Sequence, residues 1–200
     1  MSRIILTELE ISRIRSLYNL NEESNKADFG YGYNGKRAGQ DIFDHIRQYE
    51  KFVPYVYDDG YYPPKPYDSS KGRPKGRLTI GYGTTNSSII NQYLDKNITK
   101  EEAKRLSAKD INEAAQYVKE WQSKNSDKRK LTKGMYMALI DMAYNRGRNG
   151  FLQSGVLTQI DNGNYKEAAN TIYPAGLGIW GHKDRLITDK DLFCREGVCE

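Results

Sequence analysis

Glu50-Lys51-Phe52-Val53-Pro54-Tyr55-Val56-Tyr57-Asp58-Asp59-Gly60, followed after a loop by Leu78-Thr79-Ile80-Gly81-Tyr82-Gly83, is the stretch whose reading decides this chain. Glu50 closes a segment in which Ile42, His45, Ile46 and Tyr49 recur at helical spacing, and Asp41 stands where an N-cap belongs. Phe52 to Tyr57 is an aromatic, β-branched run that reads as a strand, and Asp58-Asp59-Gly60 reads as a tight turn. The order therefore presents one carboxylate from a helix end, a second from a turn, and the Thr79 hydroxyl from a strand that enters a glycine-rich bend. Hydrolysis of a glycosidic bond needs one protonated carboxyl to serve the leaving oxygen and one ionised carboxylate to activate water.

Each of these residues also has a plainer reading. Glu50 alone would be a surface glutamate at a helix end, and Thr79 a strand residue with good β propensity. Asp59 alone would be an Asp-Gly turn residue, chosen for backbone geometry. Asp58 is the nearest rival as a base, because neighbours on an extended segment point to opposite faces, and Asp68 is a distant third. Context decides: the helix end, the Tyr57-x-Asp59 spacing and the Thr79-Ile80-Gly81-Tyr82-Gly83 run occur together and in this order.

That order resembles the phage-type lysozymes, the endolysins of glycoside hydrolase family 24, over roughly residues 41 to 193. The resemblance implies an α+β, lysozyme-like fold, with a small β-containing lobe, a larger helical lobe and a cleft between them. It implies a muramidase acting on peptidoglycan by inversion, with Glu50 as acid, Asp59 as base and Thr79 helping to hold the water. It implies substrate-lining roles for Tyr82, Thr85, Tyr144, Asn145 and Ser154. Arg185, within Trp180-x-x-x-x-Arg185, would sit beside the acid, with a structural ion pair as the alternative. Two departures stand out: residues 60 to 78 replace a short hairpin, and Thr84 stands where the family usually has histidine.

The remaining chain fits one catalytic domain, residues 40–200, preceded by an N-terminal helix and linker extension, residues 1–39. Leu6, Leu9, Ile11, Ile14 and Leu17 form an apolar stripe, and the glycine-bearing stretch from Asn21 to Gly39 reads as a linker. Thr99-Lys100-Glu101-Glu102 is a capping box that opens a long helix. Thr132 caps a second, apolar on nearly every side and ending near Gly147, which predicts a buried central helix. Shorter helices are expected at 152–161, 164–172 and 182–193.

Composition narrows the classes. Apolar content of 38% with 28% charged residues describes an ordinary globular protein. The net charge of +5 favours a polyanionic partner. No nucleic-acid motif, zinc-ligand cluster or phosphate loop accompanies that charge, so charge alone favours none of nucleic acid, acidic lipid or an acidic cell-wall polymer. It is the resemblance that implies peptidoglycan as the partner, without metal or organic cofactor. No run approaches the roughly 18–20 apolar residues of a membrane span. Glu8 and Glu10 break the apolar N-terminus, so no signal-peptide core is expected. A protein made in the host cytoplasm would then reach the cell wall, in the periplasm, through a membrane hole or on a virion, acting as a monomer. Cys194 and Cys199 leave two readings open, a small disulfide loop or a free reduced pair. The competing function is a non-catalytic cell-wall-binding or virion module on the same fold. The 60–77 segment reads either as a solvated loop or as a basic flap drawing in the acidic glycan and its stem peptides.

Overall fold

The computed structural model describes residues 42–172 and 183–200. The expected helix at 6–20, the linker after it, the Asp41 cap and Trp180 lie outside the described residues. The chain forms two compact units, one of residues Arg47–Asp110 and the other of residues up to Ile46 together with Ile111–Glu200. Among the described residues, no helix is long and apolar enough to cross a membrane.

In the Arg47–Asp110 unit the aromatic run folds as strand β1 (Val53–Asp58), antiparallel to β2 (Leu78–Gly81). Tyr57 pairs with Thr79 and Asp58 with Leu78. Because side chains alternate along a strand, Val56, Asp58, Leu78 and Ile80 share one face, and Tyr57 and Thr79 share the other. The first face builds the core of this unit, where Val56 and Ile80 meet Ile89, Ile90, Ile98 and Ala103. Ile89 and Ile90 come from helix α2 (Ser87–Tyr93), whose first turn is capped by the Asn86 side chain on the amides of Ser88 and Ile89. The helix ending just before Glu50 is α1 (Ile42–Tyr49).

The 60–77 segment is built as an ordered loop rather than a free flap. Its two ends are tied by Asp58, whose carboxylate accepts the amides of Gly60 (2.9 Å), Lys75 (2.6 Å) and Gly76 (2.8 Å). Burial opposes ionisation there, but these three donors and the Lys75 charge outweigh it and hold the Asp58 carboxyl below its ordinary value. Gly76 has no alternative at this clamp, since a Cβ would lie 2.0 Å from Asp59 Oδ1 and 2.5 Å from the Gly60 nitrogen. Further along, the Tyr67 amide donates to the Val56 carbonyl at 2.8 Å, and Pro66 bridges to Tyr57 on the edge of β1. Asp68 caps a 3₁₀ turn (Ser69–Lys71), and Tyr67 packs against the core cluster.

The helices follow the expected signals. Helix α3 (Lys100–Ser123) opens on the capping box: the Glu102 amide donates to Thr99 Oγ1 (3.1 Å), and the Thr99 amide to Glu102 Oε2 (3.0 Å). Helix α4 (Lys133–Leu152) is capped by Thr132 and buries Met135, Met137, Ala138, Leu139, Ile140, Met142 and Ala143. Gly147, at φ 66° and ψ 174°, interrupts it where the sequence places its end, a conformation that glycine adopts without a Cβ penalty. Helices α5 (Gly155–Asp161), α6 (Tyr165–Ile172) and α7 (Lys183–Cys194) complete the unit, with α7 packed on α4 and α6. Arg129, in the basic stretch before α4, is used internally, pairing with Asp161 and stacking on Trp121 at 4.4 Å. Cys194 and Cys199 form a disulfide, which settles the open choice between loop and free pair.

The clamp makes a direct prediction. Asp58→Asn replaces a carboxylate oxygen with an amide group that can only donate, against backbone donors. Gly76→Ala introduces a clash at the same place. Both variants should melt at a lower temperature than wild type and be cut faster by trypsin after Lys71 or Lys75. Unchanged cleavage rates would remove the clamp from the account.

Candidate active site

The face of the sheet opposite the core gathers the residues that the sequence singles out. Tyr57 and Thr79 stand opposite one another, and the ladder continues one step further, with the Asp59 amide donating to the Arg77 carbonyl at 3.0 Å. Asp59, two residues beyond Tyr57, therefore follows on the Tyr57 and Thr79 side. Asp58 falls on the core side and is consumed by the clamp, which removes it as a rival. Asp59 is exposed, and one of its oxygens, Oδ1, accepts the Arg77 amide, which holds the carboxylate in place. Thr79 is buried and its hydroxyl donates to the Arg77 carbonyl at 3.3 Å, leaving the oxygen able to accept.

Glu50 sits directly after α1, half-buried, in the same unit as Asp59. Tyr57 reports on both carboxylates. Burial first, then the negative charges of Glu50 and Asp59, push its phenol up to about 12. Tyr82 leans on Phe52 with ring centres 5.7 Å apart, and Thr85 is exposed at the end of the bend. Thr84 is fully buried. Its amide and carbonyl pair with those of Ile80, and its hydroxyl donates to Asp110 Oδ2 at 2.6 Å. At this departure from the family pattern, the side chain is structural.

The other unit holds the remaining candidates. Tyr144 is half-buried and Asn145 exposed near the break in α4, with the Asn145 side-chain amide donating to the Asp141 carbonyl at 3.0 Å. Ser154 stands at the start of a helix. It is buried as the cap of α5, accepting the Val156 amide at 3.1 Å and donating towards Met142 Sδ at 3.6 Å, so its hydroxyl is committed to the fold. Arg185 is 2% exposed and grips both oxygens of Asp141, with Nε at 2.8 Å and Nη2 at 2.5 Å.

That ion pair belongs to a buried cluster that sequence reading missed. His45 Nε2 lies 2.8 Å from Asp189 Oδ1 and 3.8 Å from Asp141 Oδ2. His45 reads locally as one more position on the α1 stripe, and its partners lie about a hundred residues or more away, so no local signal marks it. The three side chains offer ligand atoms within 4.8 Å of one another, a spacing that suits a metal ion. The guanidinium on both Asp141 oxygens supplies the balancing charge instead, while burial and then the neighbouring Asp141 charge push the Asp189 carboxyl up to about 8. Burial opposes charge on His45, but hydrogen bonds and charges from Asp141 and Asp189 win and raise it to about 9. For Asp141, burial is outweighed by Arg185 and His45, which hold it well below the usual carboxylate range.

With this geometry in view, the comparisons with known proteins are informative. The family model described as phage lysozyme matches residues 59–180, well over half of the chain. The chain belongs to the phage lysozyme family. Membership makes peptidoglycan hydrolysis its class of activity. The match takes in Asp59, Thr79, Tyr82, Tyr144, Asn145 and Ser154 and leaves Glu50 and Arg185 outside it. Among solved structures, the muramidase domain of SpmX from Asticaccaulis excentricus is 23% identical with a TM-score of 0.58, over 76% of this chain and 93% of that one. The endolysin from Escherichia coli O157:H7 phage FAHEc1 is 21% identical with a TM-score of 0.58, over 78% and 91%. P1 phage endolysin Lyz in its active form is 14% identical with a TM-score of 0.53, over 93% and 94%. At these identities the likeness shows the lysozyme-like α+β fold and nothing finer. No curated protein matches the chain.

The cluster sets two expectations for this lysozyme relative. A raised pKa means that the folded state holds its proton more tightly than the unfolded chain, so the His45 contribution is complete below 6.5 and is lost as pH rises through about 9. The wild-type melting temperature should fall across that interval more steeply than that of His45→Gln, measured by calorimetry at low and high pH. Arg185→Met leaves Asp141 charged and buried, and should cost about 3–5 kcal/mol in denaturant unfolding. A loss of substrate affinity at unchanged stability would instead return Arg185 to the groove.

Proposed function

We propose that this chain is an active N-acetylmuramidase that cleaves the β-1,4 bond between N-acetylmuramic acid and N-acetylglucosamine with inversion. The observation that carries the reading is the face shared by Tyr57, Asp59 and Thr79, with the charges of Glu50 and Asp59 both bearing on the Tyr57 phenol. Glu50, in its protonated form, gives its proton to the leaving oxygen. A water placed between Asp59 and Thr79 gives one hydrogen bond to each, to the carboxylate as base and to the Thr79 oxygen as positioner. Its lone pair is thereby aimed at the sugar carbon, and the proton passes to Asp59 as the new bond forms. Inversion requires the two carboxyls to stand roughly 6.5–9.5 Å apart, with the water between them.

The Arg77 amide on Asp59 and the Arg77 carbonyl on Thr79 support the same reading, since one backbone residue orients both side chains. Tyr82, Thr85, Tyr144 and Asn145 line the glycan in this proposal. Residues 40–200 form the catalytic domain, and the protein acts as a monomer at the cell wall.

Incubation with purified peptidoglycan, followed by reduction and sugar analysis, should yield new muramic-acid reducing ends of inverted anomeric form. Glu50→Gln and Asp59→Asn should each lower the rate by at least about a hundredfold, since general acid–base groups commonly contribute 10²–10⁴-fold. Both should keep the wild-type melting temperature. Glucosamine reducing ends, or a Glu50→Gln protein near wild-type rate, would sink the assignment.

A further inference from the structure

The 60–77 loop encloses a pocket of about 340 Å³, lined by Tyr61, Tyr62 and Tyr67 and by Lys65, Lys71 and Arg73, with Asp58 and Asp68 among its acids. That volume lies within the range of about 300–1,000 Å³ typical of small-ligand sites. The loop stands where the family resemblance implies only a short hairpin. Its pocket is held open by the fold, through the Asp58 clamp, the Tyr67 amide on β1, and the Tyr55 hydroxyl donating to the Pro64 carbonyl at 3.2 Å. A pre-built pocket spares a ligand the entropic cost of ordering a loop.

The charges of the lining are unequally used. Asp58 is occupied by three amides, and Asp68 by the Ser70 amide and hydroxyl and by Lys71 at 3.3 Å. Lys65 and Arg73 have no ion-pair partner among the described residues, so the pocket presents unspent positive charge. Its aromatic wall is open to solvent: Tyr62 is 84% exposed and Tyr61 50% exposed. Lysines already stand over both rings, Lys75 at 4.6 Å from Tyr61 and Lys51 at 5.9 Å from Tyr62.

We propose that this pocket binds the carboxylate-bearing stem peptide of peptidoglycan, apart from the residues that act on the glycosidic bond. This inference rests on the reading of the chain as a peptidoglycan hydrolase. An arginine fork and a lysine match a peptide carboxylate, the fork in two-point fashion. Tyrosine rings cover the apolar side chains of short peptides with little loss of rotamer freedom. A phosphate polymer would use the cations and leave the aromatic wall idle. A neutral glycan would do the reverse. The pocket holds the end of a short acidic peptide and is too small for a folded partner.

The test uses the full chain with two soluble probes, the free stem tetrapeptide and the same peptide with its carboxylates amidated. Calorimetry should show the free peptide binding at least about tenfold more tightly, the scale of one charge-assisted hydrogen bond. Lys65→Gln/Arg73→Gln should remove that preference at an unchanged melting temperature, and Tyr62→Ala should weaken both probes alike. Backbone amide shifts in nuclear magnetic resonance should cluster in residues 60–77. Equal affinity for the two probes, or full affinity in the double variant, overturns the proposal. So does competition by inorganic phosphate at the peptide's own concentration, which assigns the cations to phosphate. Cell-wall hydrolysis by the wild type is read separately. Peptide binding without hydrolysis would count against the muramidase reading alone, and hydrolysis without peptide preference against this pocket alone.

Discussion

The pairing of Tyr57 with Thr79 governs what each neighbouring side chain can do. Strand side chains alternate with a period of two, so this single register sends Asp58 and Ile80 to the core side and Asp59 to the side of Tyr57 and Thr79. A slip of one residue would exchange the two aspartates. Asp58 would then be offered to substrate and Asp59 forced against the core. The register is protected because Val56 and Ile80 are buried with the isoleucines of α2, and a slip would expose that apolar set.

The two aspartates show how one residue type takes opposite tasks from its surroundings. Asp58 accepts three backbone amides, so its negative charge is part of the architecture that closes the 60–77 loop. Asp59 accepts one, which orients it without consuming it. Arg77 contributes through its backbone, with its amide on Asp59 and its carbonyl on Thr79, so the end of the insertion and the proposed catalytic face are one piece of structure. The insertion can therefore vary in its outer residues while its base stays constrained by Gly60, Gly76 and Asp58.

The buried network of His45, Asp141, Arg185 and Asp189 does in the helical unit what the clamp does in the other. Ionic groups out of water are tolerated only when every charge has a partner, and here Arg185 and His45 face the Asp141 carboxylate while burial favours the protonated form of Asp189. Such a network adds less to stability than its short distances suggest, because the desolvation of its charged groups offsets most of the attraction. Loss of any member leaves the others uncompensated, so it enforces one arrangement of α1, α4 and α7.

Local chemistry was legible in the sequence wherever a few adjacent residues decide the outcome. The Thr99 to Glu102 capping box, the Thr132 cap, the break at Gly147 and the burial of α4 follow from propensity and periodicity over a turn or two, and each is found where the spacing puts it. The Glu50, Tyr57, Asp59 and Thr79 set could be proposed from the sequence because the motif spans one helix end and one strand pair. Tertiary structure alone decided the rest. Ser154 and Arg185 carry side chains suited to a groove, and only the positions of Met142, Val156 and Asp141 show them turned inward. His45 meets Asp189 across 144 residues of chain, a separation over which no periodicity carries information. The clamp on Asp58 likewise joins residues 17 and 18 positions apart. A sequence states which groups are present, but burial and partnership determine whether a charge is spent on the fold or left for a ligand, and they exist only once the chain has closed on itself.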